Sequence, residues 1–333
     1  MTTTVRRRLP LWKKLTFTLI VVAGGPLLLE AGARLLHGWN RHWLDCHRPH
    51  PTLGWVLREN WSGKWSWTGG TSRINAQGLR MDDDLGPKQP GEKRLLVLGD
   101  SVTFGANVKT SESLPAQLQG RLTAALADWR VLNGGVTSYD PEQEREWLEE
   151  FGWPLQPDAL LVVFCRNDVS PSQRQKSDVH RSSAGRLGQW LTERSLLAFK
   201  LERGLARLRA AALGREGQKS LVVAAAAELE GLPFVEQAYR QLAASARERG
   251  VPVTLLIVPT LDLLTGKEAD DLSPRLTALG DELGWRVIDL EPALLPADPA
   301  WFLPDDPVHP SAAGYARLAD WLAPRIQADL AAR

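Results

Sequence analysis

The amino-acid sequence predicts an α/β fold in which a doubly wound parallel sheet of about five strands lies between two layers of helices. Two observations predict it. Short apolar runs rich in branched residues recur along the chain, at residues 95–98, 129–132, 159–164, 253–258 and 285–290. Amphipathic segments of helical length separate or follow them, at residues 114–127, 143–150, 234–249, 273–283 and 312–330. Because such mostly apolar runs indicate strands buried within a sheet, the pattern is typical of a three-layer, flavodoxin-like domain.

The composition is that of an ordinary globular protein. The chain has 333 residues, of which 24% are charged and 44% are hydrophobic, enough for one large domain or two small ones. The net charge is +1, but five basic residues precede the first acidic one, which leaves −4 for the rest of the chain. These five are Arg6, Arg7, Arg8, Lys13 and Lys14. A mildly acidic main domain argues against a nucleic acid as the partner.

The first 36 residues predict export from the cytoplasm. A basic tail, residues 1–14, precedes an apolar segment, residues 15–36, and this order is typical of a transmembrane signal anchor. About 22 residues suffice for a helix to cross a hydrocarbon core of ~30 Å. Glu30 and Arg34 stand one helical turn apart near its far end, where they can pair. We therefore expect a single-pass protein of the cell membrane, with a cytoplasmic N-terminus and an extracytoplasmic main domain.

Two other interpretations of this segment stay open. Ala31, Gly32 and Ala33 fit the small-x-small pattern that signal peptidase cleaves, and cleavage would release a secreted protein. Glu30 and the lack of a polar region before this site favour the uncleaved anchor. The third interpretation is a buried core helix, against which the basic tail argues. Both export routes place the main domain outside the cytoplasm.

Residues 37–92 form an extension of different composition. Six of them are tryptophan, and short alternating pieces such as KWSWT predict short strands or hairpins. Trp39 and Trp43 follow the apolar segment and suit a membrane interface. The other four are expected to pack the extension onto the main domain, and a carbohydrate-binding surface is the alternative. They are Trp55, Trp61, Trp65 and Trp67.

Residues 93–333 make up the main domain, which carries one insertion. Residues 181–231 interrupt the alternation of strands and helices with amphipathic helical pieces whose polar face is basic. We expect a helical cap packed on the domain, and contact with a membrane surface is the alternative.

The stretch RLLVLGDSVTFG, residues 94–105, carries the first chemical signal. Its strand ends at Gly99 and delivers Asp100 and Ser101 into a tight turn, which is how α/β folds present a nucleophile at the carboxyl edge of a sheet. The alternative is an ordinary strand-to-helix turn with Ser101 as a helix N-cap. Polar residues at later strand ends favour the nucleophile. They are Asn133 to Gly135, Cys165 to Asp168 and Asp305 to His309.

A base for this serine is found by elimination among six histidines. Four of them precede the main domain: His37, His42, His47 and His50. His180 lies in a polar stretch, SDVHRSS, where a solvated side chain is expected. Asp306, three residues before His309, can turn back and hold one imidazole nitrogen so that the other accepts the serine proton. Asp305 is a second candidate for that role, but the three-residue spacing favours Asp306.

Together these blocks resemble those of the SGNH (GDSL-type) hydrolase superfamily. The resemblance covers about residues 94–330 and rests on a GDS serine, a glycine, the asparagine of a GxND block and a DxxH pair. Here these are Ser101, Gly135, Asn167, Asp306 and His309. The basic and apolar N-terminus and the segment SRINAQGLR, residues 72–80, are similar to those of membrane-anchored bacterial members.

The resemblance implies a role for each matching residue. Ser101 would be the nucleophile, His309 the general base and acid, and Asp306 the residue that orients His309. The oxyanion hole would consist of the backbone N–H groups of Ser101 and Gly135 and the side chain of Asn167. One position departs from the pattern. Cys165 stands where the third block has glycine, and its side chain either crowds the loop that aims Asn167 or packs beneath it.

These observations predict an extracytoplasmic serine esterase that hydrolyses a small acyl ester, such as an acetyl ester, of a carbohydrate or another envelope compound. An O-acyltransferase with the same acyl-enzyme is the alternative, and a non-catalytic envelope binding protein is the third hypothesis. No cofactor or metal is expected, because the glycines near Ser101 form neither GxGxxG nor a P-loop. Cys46 and Cys165 belong to no CxxC pair or zinc ligand set, and nothing predicts a disulfide between them.

Overall fold

The computed structural model describes residues 10–37, 46–65, 70–122, 126–169, 195, 197, 225–304 and 306–331. The chain divides into two units. The smaller unit comprises residues 1–40 and 178–219, and the larger comprises residues 41–177 and 220–333.

In the smaller unit, two helices replace the single helix that the sequence predicts over residues 15–36. They are α1 (Leu11–Leu19) and α2 (Gly25–His37), joined by one π-helical turn, Ile20–Gly24. Gly24 and Gly25 weaken a helix, and Pro26 lacks the N–H that would continue its hydrogen-bond ladder. Glu30 and Arg34 do pair, with Nε and Oε1 2.5 Å apart. In the part of the chain that the structure describes, no helix combines the length and the apolar character needed to cross a membrane.

The extension forms two antiparallel hairpins, which confirms the predicted short strands. The first pairs β1 (His47–His50) with β2 (Gly54–Leu57), and the second pairs β3 (Ser62–Trp65) with β4 (Gly70–Arg73). Trp55 and Trp61 are 2% and 0% exposed, and they belong to the same apolar cluster as Leu96 and Leu98 of the main sheet. These two tryptophans therefore pack the extension onto the sheet, as expected. The predictions for the other four fall outside the described side chains.

The main sheet has five parallel strands at the predicted places. They are β5 (Lys93–Leu98), β6 (Trp129–Asn133), β7 (Ala159–Cys165), β8 (Val253–Val258) and β9 (Arg286–Asp289). Their spatial order is β6-β5-β7-β8-β9, the doubly wound, flavodoxin-like order. The chain reverses its direction of winding at β5, so β5 and β7 are neighbours with a crevice outside their carboxyl ends. Folds of this type bind their ligands in that crevice.

Helices cover both faces of the sheet and make the three layers. In the described part of the larger unit they are α3 (Ser101–Phe104), α4 (Leu114–Leu122), α5 (Pro141–Trp147), α6 (Ala225–Glu248), α7 (Leu261–Leu264), α8 (Ser273–Leu283) and α9 (Ala312–Ala331). In β5, Leu96 and Leu98 enter the apolar cluster of α5, α6, α8 and the extension. Leu95 and Val97 point to the opposite face and enter the cluster of α4 and α9.

Two helices begin earlier than the apolar pattern predicts. Helix α5 begins at Pro141 because Asp140 caps it, with its Oδ1 accepting the N–H of Gln143 at 2.9 Å. Helix α6 begins at Ala225, within the stretch predicted to be an insertion. Apart from residues 195 and 197, the remainder of that insertion, residues 181–224, lies outside the described part of the chain.

Candidate active site

Ser101 lies just past the carboxyl end of β5, as the first residue of α3. Gly99 has a φ of +152°, and a Cβ there would lie 2.1 Å from Thr103 Oγ1, so only glycine fits this turn. The N-cap of α3 is Asp100, whose Oδ1 accepts the N–H of Val102 at 2.8 Å. The interpretation of Ser101 as the helix cap is therefore wrong, because its neighbour has that role and leaves the serine hydroxyl for other contacts.

His309 reaches Ser101 from 208 positions further along the chain. It lies on β11 (Asp306–Pro310), which pairs with β10 (Phe302–Leu303) outside the main sheet. Its Nε2 lies 2.8 Å from Ser101 Oγ, and its Nδ1 lies 2.7 Å from Asp306 Oδ2. Asp306 is turned back because its Oδ1 accepts the N–H groups of Val308 and His309, at 3.0 and 3.1 Å. Since a carboxylate can only accept, Nδ1 is the donor and Nε2 can accept the serine proton.

Two opposing effects set the pKa of His309. Burial lowers it, but the hydrogen bond and charge of Asp306, with a smaller contribution from Asp100, outweigh burial and raise the pKa above its usual 6.5. For Asp306, burial raises the pKa, while the hydrogen bond and charge of His309 lower it to a net value below 3.8. An ionised Asp306 beside an imidazole that readily takes up a proton suits a general base.

Asn167 follows β7, and its side chain is directed to the same point. Its Nδ2 donates to Asp100 Oδ2 at 2.8 Å, and this carboxylate oxygen also lies 3.1 Å from Ser101 Oγ. The thiol of Cys165 donates to Asn167 Oδ1 at 2.6 Å. Burial, with the charges of Asp100 and Asp168, raises the pKa of this thiol well above 9.0, so it keeps the proton that it donates. Cys165 thus holds the amide of Asn167 with its N–H side towards Ser101.

Gly135 lies in the loop after β6 and packs directly against α3. A Cβ on Gly135 would lie 2.3 Å from the backbone nitrogen of Phe104, so the loop admits only glycine. Its N–H donates to Asn133 Oδ1 at 3.0 Å. The N–H of Gly135, which the family resemblance implies as an oxyanion donor, therefore already donates to an oxygen within its own loop.

Four carboxyl groups are buried around these side chains, each at most 2% exposed: Asp100, Asp140, Glu144 and Asp168. Burial, followed by the charge of Asp100, raises the pKa of Glu144 and of Asp168 well above their usual values. Asp100, Cys165 and Asp168 offer ligand atoms within 4.8 Å of one another. However, Asp100 accepts from Asn167, and Asp168 accepts from the Cys165 N–H. A thiol that keeps its proton is a poor metal ligand, and both carboxyl groups already accept hydrogen bonds, so we assign no metal to this group.

Two residues of the site were not predicted from the sequence. Asp100 was visible inside the GDS block, but its contacts with both Ser101 and Asn167 depend on the neighbouring strand. Tyr315 on α9 donates its hydroxyl to the carbonyl of Val102 at 2.8 Å and so holds α3. No local pattern marks a contact between residues 213 positions apart. His180 and Asp305 lie outside the described residues.

Comparison with known proteins identifies similar sequences and folds. The model of the GDSL-like lipase/acylhydrolase family matches residues 97–317. The crystal structure of TesA is 19% identical, with a TM-score of 0.46, and the match covers 70% of this chain and 98% of that one. A lipase/acylhydrolase from Enterococcus faecalis is 15% identical, with a TM-score of 0.43, over 71% of this chain and 96% of that one.

A third structure is a catalytic mutant of Axe2, an acetylxylan esterase from Geobacillus stearothermophilus. It is 18% identical, with a TM-score of 0.41, over 71% of this chain and 94% of that one. No curated protein matches the sequence.

The close packing of Gly135 on α3 can be tested by comparing an alanine substitution at Gly135 with one at Gly120. We expect Gly135→Ala to destabilise the protein by about 1–3 kcal/mol, because the added methyl group overlaps the backbone of α3. Gly120 is the control, since a Cβ there would have nothing within 4 Å and alanine favours its helix by about 0.5–1 kcal/mol. Urea unfolding measures both variants. Equal unfolding midpoints would show that the loop tolerates a Cβ at residue 135.

Proposed function

The chain belongs to the GDSL-like lipase/acylhydrolase family, and we propose that it hydrolyses a small acyl ester through an acyl-enzyme. The residues that carry out the reaction would be Ser101, His309 and Asp306. Family membership makes the protein a serine hydrolase that acts on ester bonds. One observation carries the assignment of roles: the hydrogen-bonded chain from Asp306 through His309 to Ser101, with distances of 2.7 and 2.8 Å. A nucleophile, a base and an orienting carboxylate are thereby already in contact.

In the first half of the proposed reaction, Ser101 becomes acylated. His309 Nε2 accepts the hydroxyl proton while Oγ attacks the carbonyl carbon, and the carbonyl electron pair moves to oxygen. Asp306 stabilises the imidazolium that forms. The imidazolium then gives its proton to the leaving alkoxide as the ester C–O bond breaks. In the second half, His309 takes a proton from water, whose oxygen attacks the carbonyl carbon of the acyl-enzyme. The bond between this carbon and Ser101 Oγ then breaks, His309 returns the proton to Oγ, and the acid is released.

The oxyanion needs hydrogen-bond donors beside Ser101 Oγ. We propose the backbone N–H of Ser101 and the Nδ2 of Asn167, which carries a second hydrogen besides the one given to Asp100. The N–H of Gly135 is the third proposed donor. It would have to exchange the oxygen of Asn133 for the oxyanion when substrate binds.

We also propose that the main domain works outside the cytoplasm, on a small acyl ester, such as an acetyl ester, of a carbohydrate or another envelope compound. The basic tail before an apolar segment supports export. In α1 and α2, four large apolar side chains are 63–76% exposed and form an apolar surface that suits a membrane anchor: Leu11, Trp12, Phe17 and Leu28.

Protease treatment of intact cells or spheroplasts should degrade the main domain. Full protection, with lysed cells as the control, would contradict an extracytoplasmic location.

The role of Ser101 can be tested directly. We expect Ser101→Ala to lower kcat for nitrophenyl acetate by about 10³-fold or more, because no hydroxyl remains to form the acyl-enzyme. The same variant should lose covalent labelling by a fluorophosphonate. Ser111→Ala is the control, since Ser111 is an exposed serine of the same region. Undiminished turnover in Ser101→Ala would refute the proposed nucleophile.

The raised pKa of His309 gives the reaction a pH dependence. His309 must be neutral to act as the base, so kcat/KM should rise with pH through an apparent pKa above 6.5. Asp306→Asn removes the charge that raises this pKa, so the inflection should move to lower pH. It should also lower kcat by up to about 10⁴-fold. Asp320→Asn, an exposed change of equal charge, should leave the profile unchanged. An inflection that stays in place in Asp306→Asn would disprove the coupling.

A further inference from the structure

The segment SRINAQGLR, residues 72–80, lies outside the 97–317 region matched by the family, yet it ends in a residue that reaches the serine turn. This residue is Arg80, whose side chain is 1% exposed. Burial lowers the pKa of its guanidinium to about 10, so it remains a cation at neutral pH. A buried cation is unfavourable unless its donors are hydrogen-bonded. Both terminal nitrogens of Arg80 have partners, whereas its Nε has none among the described residues.

The guanidinium of Arg80 binds the carboxyl-terminal end of α3. Its Nη1 donates to the carbonyl oxygens of Phe104 and Gly105, the second at 2.5 Å. Its Nη2 donates to the carbonyl of Val108 at 2.6 Å and to Ser72 Oγ at 2.8 Å. The guanidinium also lies over the Phe104 ring, 4.5 Å from its centroid. The side chain of Arg80 therefore donates hydrogen bonds to three backbone carbonyls that follow Ser101 in the chain.

The backbone of Arg80 is itself held in place. Asn75 Oδ1 accepts the N–H groups of Gln77 and Leu79, at 3.0 and 2.9 Å, which closes the turn before Arg80. The N–H of Arg80 donates to the carbonyl of Asn133 at 3.3 Å. Asn133 is the last residue of β6 and the partner of the Gly135 N–H. Arg80 thus joins the serine helix to the loop of Gly135.

Helix α3 needs such support because it is a single turn. Its internal hydrogen bonds run from the Phe104 N–H to the Asp100 carbonyl and from the Gly105 N–H to the Ser101 carbonyl, at 2.9 and 3.0 Å. A helix this short is not stable by itself, and its last carbonyls have no partner within the helix. Gly105 has a φ of +80°, and a Cβ there would lie 2.7 Å from Arg80 Nη1. The glycine lets the guanidinium approach these carbonyls.

We propose that Arg80 is a positioning residue that fixes the orientation of α3, and with it the place of Ser101 Oγ relative to His309 Nε2. This inference rests on the proposed role of Ser101 as the nucleophile. A displacement of about 1 Å at a reacting atom can lower a rate by 10²-fold. Lysine cannot replace Arg80, because a single ammonium group does not match three carbonyls as the planar fork of arginine does.

The test compares two buried arginines. Arg94 is 3% exposed and donates to the carbonyls of Leu155 and Gly86, at 2.8 and 3.0 Å. It lies at the amino end of β5, the end far from Ser101. Arg94→Lys is therefore the matched control for Arg80→Lys. Arg80→Gln, which keeps an N–H₂ donor without a buried charge, provides a second variant if the lysine variant folds poorly.

We expect Arg80→Lys and Arg80→Gln to lower kcat and the rate constant of fluorophosphonate labelling by about 10-fold or more, with KM changed by less than about 2-fold. Rates are expressed per folded protein, with the folded fraction measured by circular dichroism. Arg94→Lys should lower the melting temperature but leave both rates within about 2-fold of wild type.

Two results would overturn the positioning role: labelling of the folded Arg80 variants at the wild-type rate, or an equal loss in Arg94→Lys. Failure of the wild-type protein to label at Ser101 is a separate outcome. It would refute the proposed role of Ser101 as the nucleophile, and with it the positioning role of Arg80, which rests on that role. The wild-type measurement therefore distinguishes the two failures.

Discussion

Every step of the proposed reaction passes through the 2.8 Å contact between Ser101 Oγ and His309 Nε2. The two residues are 208 positions apart, so the contact persists only if other interactions fix both backbones. On one side β5 is paired with both β6 and β7, which holds the strand end that carries Ser101. On the other side Pro310 pairs with Phe302 in the small β10–β11 ribbon. The site is therefore a property of the whole unit and not of any one loop.

The carboxyl group of Asp100 takes part in several of the interactions that organise the site around Ser101. It caps α3, accepts from Asn167, lies beside Ser101 Oγ and helps to raise the pKa of His309. A second full charge in the same buried space would be costly. Glu144 has both carboxylate oxygens buried without a hydrogen-bond partner among the described residues, and its pKa is raised well above 4.5. The raised pKa of Glu144 therefore disfavours a second negative charge beside Asp100, the carboxyl group that organises the serine turn.

The fold was predictable because buried parallel strands leave mostly apolar runs, and the five runs predict five strands within about one or two residues of their ends. Ser101 and Asn167 were expected to lie close together because parallel strands deliver their loops to one edge of the sheet. His309 lies on a ribbon outside that sheet, and it was singled out by elimination among the histidines and by its spacing from Asp306. The start of α5 was missed because a capping box, and not an apolar residue, determines it. The π-helical turn between α1 and α2 was missed because hydropathy does not register the lost N–H of Pro26.

Arg80 shows why the remainder could not be predicted from the sequence. Its partners are backbone carbonyls 24 to 28 positions away, and a carbonyl has the same chemistry whatever side chain it carries. No periodicity or composition can indicate such a contact. The different composition of residues 37–92 suggests a boundary before β5, but buried contacts determine which segments depend on one another. Trp55 and Trp61 share the apolar cluster of the sheet, and Arg80 satisfies the end of α3. The extension therefore belongs to the structure that holds Ser101, although it precedes the residues that the family has in common.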